Sequence, residues 1–284
     1  MSHEIFNADV TDWFASRPSR EFHLSFVDPP FNQGKEYKYL DDNMPHGKYW
    51  EWIENVLSEI RKHTADGGAV YFMQREKNAE FVLSALRKTG WTFQNLVIWR
   101  KRTSAVPVAG RFGKQYQVIA YAIKGSRPRV FNRLRIDPPL PPEYKYKRDT
   151  GVFVTDVWDD IRELTSGYFA GNEAVRKKNG QRFHKQQSPI TLLLRIILSS
   201  SRVGDTVLDP FAGSGTTLVV AEQLRRISVG IDIDPENVRL IEKRLIEART
   251  ADDVSRHLKY YRYTEDIAGV AGFVSTAEPS AESL

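Results

Sequence analysis

Val207-Leu208-Asp209-Pro210-Phe211-Ala212-Gly213-Ser214-Gly215-Thr216-Thr217 is the stretch that decides the fold. A short apolar run bounded by proline and glycines predicts a buried strand over residues 206–208. Its end delivers Asp209 into a crevice, and the glycines let the backbone approach a ligand where a side chain would clash. A helix follows over 216–226, then a strand over 228–231 that ends in a second acid, Asp232, with Ile233 behind it. An acid in that place is the usual receiver of two ribose hydroxyls. The residues after Gly215 narrow the ligand. Leu218 stands where a dinucleotide cradle wants glycine or alanine, and the Gly-Lys-Ser/Thr ending of a P-loop is missing. A nucleoside without phosphates fits better than NAD or ATP.

Upstream the same design recurs. The apolar run 24–27 stops at Asp28-Pro29-Pro30-Phe31, which puts one carboxylate and one aromatic ring at the edge of a sheet. Two prolines stiffen that loop and offer carbonyls where other residues offer amide protons. A second Asp-Pro-Pro, at Asp137, follows no strong strand and has Leu140 in fourth place, so it reads as plain loop. Between and around these breaks, helices are expected over 49–63, 77–88, 191–200 and 237–248. Strands are expected over 69–73, 91–99 and 116–123, with Asp66-Gly67-Gly68 as a turn. Ser188-Pro189 reads as an N-cap followed by proline in the first helical position. Strands alternating with helices predict an α/β fold, a doubly wound and mostly parallel sheet. Residues 125–151 are proline-rich and irregular, and 269–284 are small and polar, an expected disordered tail after a single domain of 1–268.

With 284 residues the chain suits one large domain carrying an insertion, and it has no cysteine. That removes disulfides, thiolate zinc sites and cysteine nucleophiles, and no metal is expected. The N-terminus lacks a signal-peptide pattern and no apolar run is long enough to span a bilayer, so a soluble cytoplasmic protein is expected. The net charge is only +5, but residues 100–148 hold thirteen Arg or Lys against two acids, and 162–185 hold six against two. A balance this uneven points to a polyanion-facing region.

Together these residues resemble the S-adenosylmethionine-dependent DNA amino-methyltransferases, a Rossmann-like fold. The resemblance implies S-adenosylmethionine as cofactor, held by Asp209, Phe211, Ala212, Gly213, Ser214, Gly215, Thr216 and Thr217, with Asp232 and Ile233 at the ribose. His184-Lys185-Gln186-Gln187-Ser188-Pro189 is similar to the family's His-x-x-Gln-Lys-Pro segment, which assigns His184, Gln187 and Ser188 to the cofactor. Asn7-Ala8-Asp9 is similar to the segment whose acid approaches the cofactor adenine, and Thr155-Asp156-Val157-Trp158 to a stretch that precedes the His-x-x-Gln segment. The catalytic motif comes before the cofactor motif, a circularly permuted order resembling the β group. That implies a catalytic half over 1–124, a target-recognition insertion at about 100–183 and a cofactor half over 184–268.

The resemblance also gives Asp28-Pro29-Pro30-Phe31 its chemistry. Asp28 and the Pro29 carbonyl accept the two N–H bonds of an exocyclic amine, which frees the nitrogen lone pair, and Phe31 stacks on a base flipped out of the duplex. Methylation of cytosine carbon 5 needs covalent attack, normally by a thiolate, which this chain lacks. Adenine N6 is the expected target, cytosine N4 the alternative, and a catalytically silent DNA-binding module a weaker one. The expected partner is double-stranded DNA, positioned by Arg127, Arg129, Arg133, Arg135, Lys145, Lys147 and Arg148. A cognate restriction endonuclease, a monomeric or homodimeric state and a prokaryotic or phage setting complete the expectation.

Overall fold

The computed structural model describes residues 3–16, 20–35, 39, 42–103, 107, 109–137, 149–164, 171–177, 179–184, 186–247 and 249–273. Lys145, Lys147 and Arg148 lie outside them. The chain runs through β1 (His3–Asn7), α1 (Val10–Ser16), β2 (Phe22–Val27), α2 (His46–Lys62), β3 (Thr64–Arg75), α3 (Ala79–Lys88), β4 (Thr92–Arg100) and β5 (Tyr116–Ile123). Next come β6 (Arg135–Ile136), β7 (Val152–Phe153), β8 (Val157–Trp158), α4 (Ile190–Ser200), β9 (Thr206–Asp209) and α5 (Thr216–Gln223). The last are β10 (Ile227–Asp232), α6 (Pro235–Ile246), α7 (Ser255–Leu258) and α8 (Ile267–Ala271).

Side chains alternate across a strand, and in β3 both sets are apolar. Ala69, Tyr71 and Met73 pack on one side with the leucines and isoleucines of α4. Val70 and Phe72 pack on the other with Ile53, Leu57, Val82 and Leu86 of α2 and α3. A strand apolar on both faces must be covered on both, which is the doubly wound arrangement. Eight strands form the sheet in the order β1-β10-β9-β2-β3-β5-β4-β8. β5 runs antiparallel to β3 and β4, and the remaining pairs are parallel. β2 and β9 lie side by side, Leu24 opposite Val207 and Ser25 opposite Leu208. The chain leaves them in opposite directions, β2 toward β3 and β9 toward β10, so the strand order reverses between Asp28 and Asp209. A crevice opens at such a reversal.

Several expectations change. Residues 66–68 make no turn ahead of β3. They lie inside it as a bulge, with Gly67 at φ +72° and the register against β2 shifting between Phe22 and Leu24. Pro189 occupies the N-cap position of α4, and the Glu173 carboxylate accepts from the Ile190 N–H at 2.6 Å, leaving Ser188 uncapping. The packed chain also continues past residue 268. Ala271 is buried, and Arg226, itself inaccessible, donates to the Val270 carbonyl at 2.8 Å. Nor is 100–183 a separate insertion, because β5 and β8 belong to the main sheet. β1 escapes a sequence reading because His-Glu-Ile-Phe-Asn is only half-buried at the sheet's edge.

Candidate active site

A cavity of about 760 Å³ opens at the carboxyl ends of β2, β9 and β10, within the size range of small-ligand sites. Asp28, Asp209 and Asp232, one from each strand end, all line it. Asp28 follows β2 directly and is half-buried, and the Ser188 hydroxyl donates to its Oδ2 at 3.4 Å. Burial, and then the neighbouring Asp209 carboxylate, push the Asp28 carboxyl up to about 8 against the pull of Ser188, Lys101 and Lys35. The prolines after it are clamped. The Tyr49 hydroxyl of α2 donates to the Pro30 carbonyl at 2.8 Å and accepts from Gln74 Nε2 at 2.8 Å.

The next turn is built by one buried acid. Asp42 accepts from the backbone N–H groups of Asn32 at 2.8 Å, Gln33 at 3.0 Å and Lys35 at 3.0 Å. Asn32, at φ +52°, exchanges hydrogen bonds with the Met44 backbone. This cage folds the chain back over Phe31, which is only 5% exposed and is not part of the cavity wall. The expected stacking surface is therefore core in this structure.

Asp209 is fixed more tightly. Thr217 Oγ1 donates to one carboxylate oxygen at 2.5 Å and the Phe211 N–H to the other at 3.1 Å. Burial nevertheless raises its carboxyl to about 7. Asp232 accepts from the Gly213 N–H at 2.7 Å, the Asp234 N–H at 2.8 Å and Asn237 Nδ2 at 3.0 Å. Gly213, at φ +52°, thus ties the loop after β9 to the end of β10. Arg244, paired with Asp252, supports this loop from beneath by donating to the Ser214 carbonyl at 2.8 Å and to Thr216 Oγ1 at 3.1 Å. Gly215 faces away from the cavity, since a Cβ there would lie 2.7 Å from Ile241 Cγ1. Its role is packing against α6.

His184 covers the glycine loop, its Nε2 3.5 Å from where a Gly213 Cβ would stand. Burial, with Arg182 next, lowers its pKa, so the imidazole is held neutral. Gln187 lines the cavity, but its amide is bound to backbone, accepting from Val175 N–H and donating to the Glu173 carbonyl. It positions the 184–189 segment. Asp9 lines the wall and accepts from the Thr11 N–H at 2.8 Å at the start of α1. Asn7 Nδ2 donates to the carbonyls of Asp232 and Ile233, both at 3.0 Å, so the Asn7-Ala8-Asp9 segment lies beside the end of β10. Phe211, Ala212, Ser214, Thr216, Thr217, Ile233 and Ser188 also line the cavity.

Sequence reasoning missed Lys35, Trp52 and Asn237, which also line it. Trp52 sits edge-on to Phe211, with ring centroids 5.5 Å apart. In the sequence it looked like one more inward residue of α2. Also missed was Lys101, just past β4, close enough to Asp28 to oppose its rise.

The basic segment 127–135 is not at the cavity. The Arg129 N–H donates to the Gly67 carbonyl, near the start of β3, and its guanidinium pairs with Asp205, just before β9. Arg127 belongs to the same turn, its carbonyl against Gly67. Arg135 binds Thr150 Oγ1 and the Gly151 carbonyl and stacks over Phe153, as Arg133 also does. β5 is antiparallel, so the chain that leaves it emerges at the end of the sheet opposite the acids. Lys177 is in the cavity wall itself, and Arg100, Lys101 and Arg102 follow directly from the carboxyl end of β4. Among the described residues no helix is long and apolar enough to cross a membrane, and no cluster of acids and histidines could hold a metal ion.

Comparison with known proteins agrees with this architecture. The N6/N4 methyltransferase family model, described as DNA methylase, matches residues 22–243. The chain is 30% identical over 260 residues to the DNA adenine methyltransferase YhdJ of Escherichia coli, covering 85% of this chain and 82% of that protein. Among solved structures, the PvuII cytosine-N4-specific DNA methyltransferase aligns with a TM-score of 0.63 at 18% identity, over 94% of this chain and 93% of that one. The M1.HpyAVI–SAM complex aligns with a TM-score of 0.57 at 19% identity, over 86% and 98%. With a family match spanning both acid-ended strands and the cavity they share, this chain belongs to the N6/N4 family of DNA methylases.

Proposed function

We propose that this protein transfers a methyl group from S-adenosylmethionine to adenine N6 in duplex DNA. The observation that carries the reading is the placement of Asp28 and Asp209 at the ends of adjacent strands, facing one cavity. That cavity suits the cofactor on its own chemistry. Six acids, Asp9, Asp28, Asp209, Asp232, Asp234 and Glu236, stand in its wall against two lysines, Lys35 and Lys177, a balance that would repel phosphates and attract a cation. When bound, S-adenosylmethionine supplies an electrophilic methyl group on a sulfonium. Asp232 and Asn237 would hold the ribose, the Asp209–Thr217 loop and Ser188 the methionine end, and Asp9 would approach the adenine.

Asp28 and the Pro29 carbonyl accept the two N–H bonds of the target amine, since the Pro30 carbonyl is already taken by Tyr49. Acceptance by an ionised Asp28 localises the nitrogen lone pair toward the donor and draws off the proton that the amine loses. Adenine is favoured by the Asp-Pro-Pro-Phe motif and by the relative named an adenine methyltransferase. A cytoplasmic prokaryotic or phage setting, with a cognate restriction endonuclease as counterpart, goes with this reading. Mass spectrometry of nucleosides from DNA treated with the protein tests it. N6-methyladenine is expected, and N4-methylcytosine in its place would reassign the base. Asp28→Ala is expected to abolish transfer while S-adenosylmethionine still binds, and full activity in that variant would overturn the mechanism.

A further inference from the structure

We infer that Phe112 is a wedge that enters the DNA base stack and fills the gap left by the flipped target base, an inference that rests on the DNA-methylating reading above. Phe112 is 95% exposed, more than any other large apolar residue among those described. Single exposed apolar residues are ordinary, so exposure alone carries nothing. Its place is what matters.

The hairpin of β4 and β5 runs to the cavity end of the sheet and goes one rung further, the Lys101 N–H donating to the Gln115 carbonyl at 2.7 Å. There Glu163, a buried carboxylate, grips the root of the connecting loop. It accepts from the N–H groups of Arg102 at 2.8 Å and Thr103 at 2.9 Å and from the Thr103 hydroxyl at 2.6 Å. On the returning side, Lys114 is held by Glu76 at 3.1 Å. Both feet of the connection are therefore fixed beside Lys101, the lysine whose charge reaches Asp28. Just before the returning foot stand Gly110, at φ +82°, then Arg111 and Phe112.

An exposed apolar ring next to an arginine, and next to a fixed foot at the same end of the sheet as the reacting acid, matches what a stacked and charged polymer would receive. The cations meet phosphates, and the ring takes the place of an unstacked base. Phe31 is buried and cannot serve.

The test uses the full chain and a duplex bearing the site mapped with the wild-type protein. It compares a fully paired duplex with one carrying an abasic position opposite the target, where flipping costs little. Phe112→Ala is expected to slow transfer to the paired duplex at least tenfold and to stay within about twofold of wild type on the abasic duplex. Phe112→Trp is expected to keep most activity on both. Wild-type rates for Phe112→Ala on the paired duplex, or equal losses on the two duplexes, overturn the wedge. If the wild-type protein methylates no DNA, the underlying reading fails, and the wedge with it.

Discussion

A carboxyl pushed up to about 8 accepts strongly from an amine, and can take up the proton that amine loses, only once its own proton has gone. With Asp28 pushed up by burial and by Asp209, the free protein is mostly in the wrong form at pH 6. For DNA, kcat/KM is therefore expected to rise about tenfold per pH unit below about 8 and to level above it. A flat profile between pH 6 and 8 would remove Asp28 as the acceptor. Lys101 opposes the rise, so Lys101→Met should move this limb to higher pH. The same shift has a stability sign. Folded Asp28 keeps its proton to higher pH than unfolded Asp28, so its contribution to stability falls as pH rises from about 4 to about 8. Asp28→Asn should raise Tm by on the order of a few degrees at pH 8.5, with the gain vanishing toward pH 4. Thermal melts across that range check it.

At the scale of elements, the glycine loop and the start of α4 show what holds the site in shape. Gly215 combines φ +76° with a Cβ position 2.7 Å from Ile241. Gly215→Ala is therefore expected to cost about 1–3 kcal/mol, read by denaturant unfolding. Glu173 satisfies the first N–H of α4 while its carbonyl binds Gln187. Glu173→Ala should cost about 0.5–2 kcal/mol, as loss of a helix cap does, and should weaken cofactor binding through the loosened 184–189 segment. The strand ends at Asp28 and Asp209 were readable in the sequence because an apolar run leads into the acid and a proline follows it, a combination Asp137 lacks. The fate of Phe31 was not, because Asp42, eleven residues later, decides which way the turn folds. Gln187 and Ser188 looked like ligands by position. Only the folded chain separates them, one bound to backbone and the other turned to Asp28.

Over the whole molecule, charge bias and charge location proved to be separate questions. The sequence shows a basic stretch from residue 100 onward, and counting cannot tell which end of an antiparallel strand it faces. β5 carries the chain away from the cavity, so the arginines after it brace Asp205 and Phe153, while those before it lie in the connection at the cavity end of the β4–β5 hairpin, where Lys101 acts on Asp28. Charge removal at Arg102 and Arg111 should weaken DNA binding and reduce the slope of log affinity against log salt by about 2. The pair Arg127→Gln and Arg133→Gln should leave that slope unchanged. Binding titrations between 50 and 200 mM salt, roughly the range where such slopes are steep, distinguish the two ends.

β1, the strand at the sheet's edge, has a consequence for how this protein is born. Asn7 bonds the Asp232 carbonyl across a separation of 225 residues, and the ribose end of the cavity is complete only with that contact made. On the ribosome, β1 emerges well before β10, the strand it pairs with, and waits for it. Pairing across such distances makes for slow closure. β1 is therefore placed only after β10 has been made, and the cofactor cradle is finished no earlier.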